Sequence, residues 1–207
     1  RVSGDYYDVI ERPDGRVWCF IADVTGEGAP AAIQMANLQA VVRATIDESD
    51  DPGKLLYRWN EFICRQTHRS RIITCVLALV DPKARTIAVA CAGHWPPLLA
   101  DETAGQLREV EVDAGFPLGV APETVYPTKI TQLSTTPYLF FCYTDGIIEA
   151  WNPTGESFGM DRLRESISQR GDLNPGALVK QIRKQVSAFA AGTEQSDDIT
   201  MLAVRIG

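Results

Sequence analysis

Four aspartates sit in short motifs at the ends of strand-like runs: Asp5 in Ser-Gly-Asp-Tyr-Tyr-Asp, Asp23 in Ala-Asp-Val-Thr-Gly, Asp145 in Tyr-Thr-Asp-Gly and Asp197 in Asp-Asp-Ile-Thr. Carboxylates offered without Cys or His are hard oxygen donors, which suit Mg²⁺ or Mn²⁺. Two such ions about 3.5–4 Å apart hydrolyse phosphate esters. A sheet system that brings all four strand ends to one rim would build such a centre. Taken singly, Asp-Gly and Asp-Asp pairs are commoner as turn formers and caps, so only their joint occurrence carries this reading.

The elements that must position them are legible in outline. Tyr6 to Glu11 and Arg16 to Val24 flank Arg-Pro-Asp-Gly, a tight turn, and read as a hairpin. Asp5 begins one strand and Asp23 ends the next, so antiparallel pairing sets the two carboxylates side by side. After Thr25-Gly26-Glu27-Gly28, with Pro30 in the first turn, Ala31 to Ile46 reads as a helix. It is apolar nearly all round, with Arg43 its only charge, and is expected to be buried. A second helix is expected from Pro52 to about His68, with Leu55, Leu56, Trp59, Phe62 and Ile63 on one stripe and Arg58, Glu61 and Arg65 opposite. Strands follow at Ile72 to Val80, Thr86 to Ala92, Leu98 to Ala100, Leu107 to Val112, Thr128 to Leu133 and Tyr138 to Tyr143. Helices return at Asp161 to Gln169 and Gly176 to Ala190, and Ile199 to Ile206 is a closing strand. Helices in two groups beside many hairpin strands predict an α+β fold, two stacked antiparallel sheets with helices outside, in one domain spanning 1–207.

Composition narrows the function. The chain has 207 residues and a net charge of −7 without a Lys/Arg cluster, which argues against nucleic acid as partner. No apolar run reaches the roughly 18 residues of a membrane helix, and no membrane partner is expected. Cys19, Cys64, Cys75, Cys91 and Cys142 are scattered and odd in number, so they read as reduced thiols. No Cys-x-x-Cys appears, and His68 and His94 lie far apart, which disfavours zinc. The sequence opens at Arg1 without an initiating Met or signal-like segment and reads as a piece excised from a longer, cytoplasmic, multidomain polypeptide.

Six motifs in order carry a resemblance: Ser-Gly-Asp-Tyr-Tyr-Asp, Ala-Asp-Val-Thr-Gly-Glu-Gly-Ala-Pro-Ala-Ala, Ala-Gly-His-Trp-Pro-Pro-Leu-Leu, Gly-Phe-Pro-Leu-Gly, Tyr-Thr-Asp-Gly-Ile-Ile-Glu-Ala and Asp-Asp-Ile-Thr. Together they resemble the bacterial SpoIIE-type, PP2C-like serine/threonine phosphatases over nearly the whole chain. The resemblance implies a PP2C-like α/β/β/α sandwich and two Mn²⁺ or Mg²⁺ ions. Asp5, Asp23, Asp145 and Asp197 become metal ligands acting through metal-bound water, Asp23 bridging, with the Val24 carbonyl a further ligand and Asp198 in support. It further implies a phosphoserine or phosphothreonine protein substrate such as an anti-sigma factor antagonist, attached sensory or regulatory domains, and a role in stress-response signalling. The helix after Gly28 could then be a switch that moves the Asp23 loop. A degenerate phosphatase fold serving as a non-catalytic binding module is the alternative, which the intact carboxylates disfavour. A metal-dependent nuclease or nucleotide cyclase lacks the basic surface or nucleotide loop it would need.

Three departures from the pattern stand out: Ser3 where a second Gly is common, Glu27 where relatives often carry a basic residue, and no strand ahead of the first motif, which would anchor Asp5 weakly. His94 reads as a loop hydrogen-bonding residue rather than a proton donor to the leaving group. Trp95 and Trp151 are loop aromatics that could line a substrate groove, and Glu149 and Asn152 are expected to steady the loop after Asp145.

Overall fold

The computed structural model describes residues 4–26, 28–66, 72–171, 174–195 and 197–207. Glu27, His68 and Ser3, singled out above, lie outside them. The chain forms two compact units, one of Arg1–Pro96 with Glu111–Ser134 and one of Pro97–Val110 with Thr135–Gly207. Among the described residues no helix is long and apolar enough to cross a membrane.

In the first unit, β1 (Asp5–Glu11) and β2 (Val17–Val24) form the expected hairpin, closed by a hydrogen bond from Arg12 N–H to Arg16 O of 2.8 Å. β3 (Ile73–Asp81) and β4 (Thr86–Ala92) extend the sheet. β7 (Ala114–Gly115) and β8 (Lys129–Gln132) both pair with β4. The sheet is antiparallel except for β4 with β7, a two-residue parallel pair.

Two helices, α1 (Ala29–Thr45) and α2 (Pro52–Gln66), cover this sheet and share a core with it. The expectation that α1 is buried all round is overturned. Only Ala31, Met35, Leu38 and Val42 are buried, and Ile33 is 63% exposed. Their spacing of four, three and four is a single helical stripe, the most that packing on one sheet face can cover. On α2, Leu55, Leu56, Trp59 and Ile63 are buried as expected, whereas Phe62 is 37% exposed. At 3.6 residues per turn Phe62 falls at the margin of that stripe. The opposite margin holds Asn60, fully buried, which donates to Ala121 O at 2.8 Å and accepts from Gly119 N–H at 2.9 Å.

A polar pin joins α1 to β1. Buried Asp8 accepts from the Tyr6 hydroxyl at 2.5 Å and from the Arg43 guanidinium at 2.6 Å. Burial, and then Asp8 beside it, push the Tyr6 hydroxyl's pKa well up, so it stays a donor. Asp8→Ala leaves a buried hydroxyl without its acceptor, and we expect a loss of roughly 1–3 kcal/mol. In thermal unfolding this lowers Tm by about 2–4 °C per kcal/mol. Tyr6→Phe/Asp8→Ala recovers part of the loss, whereas simple additivity would show that the pin does not couple.

In the second unit a four-stranded antiparallel sheet runs in the order β10, β9, β5, β6, built from β5 (Leu98–Asp101), β6 (Leu107–Glu109), β9 (Tyr138–Tyr143) and β10 (Met201–Ile206). α3 (Gly159–Ser168) and α4 (Pro175–Phe189) pack on it through Leu163, Ile167, Leu178, Ile182 and Val186. Asn174 caps α4, its side chain accepting from Ala177 N–H at 2.9 Å. Among the described residues the fold is thus α+β with two sheets and four α-helices. Cys19, Cys75, Cys91 and Cys142 are buried and all five cysteines are free thiols.

Candidate active site

In the first unit the register sets Asp5 directly opposite Asp23, and Asp23 opposite Thr74 on β3. Opposed residues of antiparallel strands share a face. The next row, Tyr6, Ala22 and Cys75, belongs to the core under the helices. Strand alternation therefore turns Asp5, Asp23 and Thr74 to the face away from α1 and α2. Asp5 is anchored by this pairing as the first residue of β1, against the weak anchoring expected from the lack of a preceding strand.

Val24 buries its side chain in the same core. A Cβ on Gly4 would meet the Val24 carbonyl oxygen at 3.0 Å and Asp23 Oδ1 at 3.8 Å. Glycine therefore keeps open the space beside two oxygens of one candidate ligand group. At the far end of the row, Thr74 Oγ1 and His94 Nδ1 share a hydrogen bond of 2.8 Å, and His94 is buried. That is the loop hydrogen bond expected of His94.

In the second unit Asp145 follows β9 in a turn where Glu149 N–H donates to Asp145 O at 2.8 Å. Buried Thr144 stitches this turn to the segment before β10: its N–H donates to Thr200 O at 3.1 Å and its hydroxyl accepts from Thr200 N–H at 3.0 Å. Asp197 Oδ1 accepts from Asp198 N–H at 2.7 Å, and Gln195 Nε2 donates to Asp197 O at 2.6 Å. Asp198 thus orients Asp197 through its main chain. Burial, then the charge of Asp197, raise the Asp145 carboxyl above its ordinary pKa. Glu149 is raised too, by burial and then by Asp145 and Asp197. It therefore belongs to the same electrostatic cluster. Asn152 does steady the following loop, its Oδ1 accepting from the N–H groups of Thr154 at 3.1 Å and Glu156 at 2.8 Å.

Each unit by itself presents one carboxylate pair. Among the described residues no three Asp, Glu, His or Cys side chains gather into a ready-made metal cage. A pair of carboxylates with open positions is nevertheless how Mg²⁺ is commonly held, with water and substrate phosphate completing its shell. The hard oxygen donors, the Val24 carbonyl kept clear by Gly4, and an Asp145 carboxyl raised by burial and then by the charge of Asp197 all fit a divalent cation.

A family model described as Stage II sporulation protein E (SpoIIE) matches residues 13–207. The chain belongs to the SpoIIE family of PP2C-type serine phosphatases. The span matched by the SpoIIE model contains Asp23, Asp145 and Asp197, and Asp5 precedes it. Two curated relatives are protein IcfG of Synechocystis sp., 24% identical over 98% of this chain, and the phosphoserine phosphatase RsbU of Bacillus subtilis, 23% identical over 99%. The chain spans 36% of the length of IcfG and 60% of RsbU. The SiaA-PP2C domain of Pseudomonas aeruginosa superimposes with a TM-score of 0.87 at 22% identity, covering 100% of this chain and 82% of that one, so the fold is a PP2C fold. RsbX, solved in complex with magnesium, has a TM-score of 0.72 at 17% identity, covering 100% of this chain and 89% of that one.

Two residues beside the candidate carboxylates escape a reading of the sequence as roles. Thr74 joins the Asp5–Asp23 row only through the β2–β3 register. Glu149 reads as a loop-steadying residue, and its coupling to Asp145 and Asp197 depends on the fold of the second unit.

Proposed function

We propose that the chain is a phosphatase domain, 1–207 of a longer cytoplasmic polypeptide with regulatory modules, that hydrolyses phosphoserine or phosphothreonine on a protein regulator, in particular an anti-sigma factor antagonist. Two Mn²⁺ or Mg²⁺ ions would be held by Asp5, Asp23 and the Val24 carbonyl and by Asp145 and Asp197, with Asp198 orienting Asp197. When bound, such ions acidify water and neutralise phosphoryl oxygens. The carrying observation is the Asp5–Asp23 pair in direct register at a hairpin mouth. The Asp145 carboxyl, raised by burial and then by Asp197, supports it, because a bound cation would offset both the lost hydration and the neighbouring charge. RsbU's description as a phosphoserine phosphatase and the magnesium of RsbX support the same reading. The five free thiols suit a reducing compartment.

The chain's own residues divide the work. Asp5 and Asp23 give one anionic edge fixed by main-chain pairing, and Asp145 and Asp197 give a second fixed by the Thr144–Thr200 stitch. Thr74, in row with Asp23, offers a hydroxyl on the same face. Hydrolysis of p-nitrophenyl phosphate and of a phosphoserine peptide tests the reading. Turnover that rises with Mn²⁺, vanishes in EDTA and is lost in Asp145→Ala supports it. Equal residual rates in native and variant protein would instead favour the non-catalytic binding module.

A pH prediction follows from the same carboxyls. Asp145 and Glu149 are raised above ordinary values of 3.8 and 4.5. Their contribution to stability is fully present below those values and is lost as pH rises through the higher folded-state pKa. In EDTA, Asp145→Asn should therefore gain in unfolding temperature over native protein as pH rises from the ordinary Asp value of 3.8 through the higher folded-state value, and should exceed it at pH 7. Thermal scans in EDTA decide this: a variant equal to or less stable than native at pH 7 contradicts it.

A further inference from the structure

A cavity of about 270 Å³ opens in the second unit between the turn after Asp145 and the C-terminal end of α4. Gly146 lines one side, and on the other Gln195, whose amide holds the Asp197 carbonyl, closes the segment leading to Asp197. Both segments that carry this unit's carboxylates therefore form its walls. Resting on the phosphatase reading above, we infer that this cavity is a specificity pocket that receives a Lys or Arg side chain flanking the phosphorylated residue of the protein substrate.

The lining selects for a long cation. Ala150, Val186 and Ala190 make an apolar floor against which an aliphatic stem packs. Trp151, 50% exposed, presents an indole beside it, the best side chain for binding a cation over its face. Glu194 adds a carboxylate, and no lysine or arginine is found among the described lining residues. α4 ends here with no basic residue in its last turn, so its negative end is not compensated within the helix. Arg162 stacks 4.7 Å over Phe189 and does not line the cavity. Thr193 fixes the shape, its hydroxyl donating to Trp151 O at 2.6 Å and to Ala190 O at 2.7 Å. A free amine would satisfy the charge, but the position beside Asp145 and Asp197 favours a side chain delivered with the phosphate. Even with the Asp pair neutralised by metal, Glu194, the indole and the helix end remain.

The test is binding, independent of turnover. Fluorescein-labelled phosphoserine peptides carrying a single Arg, scanned across the positions flanking phosphoserine, are compared with norleucine counterparts by anisotropy in EDTA. At one position Arg should bind about tenfold more tightly than norleucine. Glu194→Gln and Trp151→Ala should each bring the ratio to within about twofold, and Glu194→Asp should retain part of it, with thermal unfolding confirming folded variants. Equal binding, tighter binding of norleucine, or a preference that survives in both variants overturns the pocket. Hydrolysis of the same peptides with Mn²⁺ is scored separately. A preference without hydrolysis strikes the phosphatase reading and leaves only a cation-binding pocket, whereas hydrolysis without a preference overturns the pocket and leaves the phosphatase reading standing.

Discussion

Asp23→Asn is expected to lower Mn²⁺-dependent hydrolysis of a phosphoserine peptide by roughly a thousandfold, equivalent to about 4 kcal/mol of transition-state stabilisation. Asp23 stands in the middle of a three-strand row, with Asp5 on one side and Thr74 on the other. β2 is an interior strand, paired along its length with both β1 and β3, so the amide replacement leaves every main-chain bond in place. What changes is a charged hard oxygen for a neutral amide, which divalent cations bind far more weakly. The fold control is thermal unfolding in EDTA, where the variant should be at least as stable as native protein, because a like charge opposite Asp5 is removed. A loss of activity accompanied by a collapsed Tm would mean that Asp23 is structural, and activity within tenfold of native would remove it from the metal site.

Gly146→Ala is expected to be nearly as damaging by another route. A Cβ at residue 146 would lie 2.0 Å from the Asp198 carbonyl oxygen and 2.9 Å from its carbon. These are backbone atoms of the segment that carries Asp197, and they are stitched to β9 through Thr144 and Thr200. The methyl must push the Asp145 turn and the Asp197 segment apart by an ångström or more. Overpacking of this kind costs roughly 1–3 kcal/mol, or about 2–12 °C in Tm for a chain of this length. A displacement of about 1 Å at reacting groups costs on the order of a hundredfold in rate. The matched control is Gly176→Ala at the start of α4, where the nearest atom is Asn174 Oδ1 at 3.6 Å. It should be neutral or slightly stabilising. If Gly146→Ala keeps native activity and Tm, the two segments are less tightly apposed than the geometry requires.

Much of this was legible because it is local. Arg-Pro-Asp-Gly between two strand-like runs specifies a hairpin, and its register from Glu11 opposite Val17 carries Asp5 opposite Asp23 whatever the rest of the fold does. Thr86–Ala92 and Tyr138–Tyr143 run over the predicted residues, and the other predicted helices and strands recur with ends shifted by up to three residues. Apolar periodicity and the Asn174-Pro175 start found α4, whose cap bond the structure contains.

The errors have a common source. α1 looks buried all round because Ile33 and its neighbours are apolar, but how many faces are covered depends on how many partners arrive. Phe62 and Asn60 exchange the roles their polarity suggests, since burial at a stripe's margin follows what lies opposite, here the 119–121 loop that Asn60 holds. Chain chemistry alone therefore determined that acidic groups terminate strands, that Asp5 meets Asp23, and that their hard oxygens suit a divalent cation. Tertiary structure alone decided that Thr74 joins their row, that Glu149 shares the field of Asp145 and Asp197, and that Gly146 presses on Asp198. Turn chemistry and periodicity act over a few bonded residues, whereas register, burial and electrostatic coupling are set by segments distant in sequence.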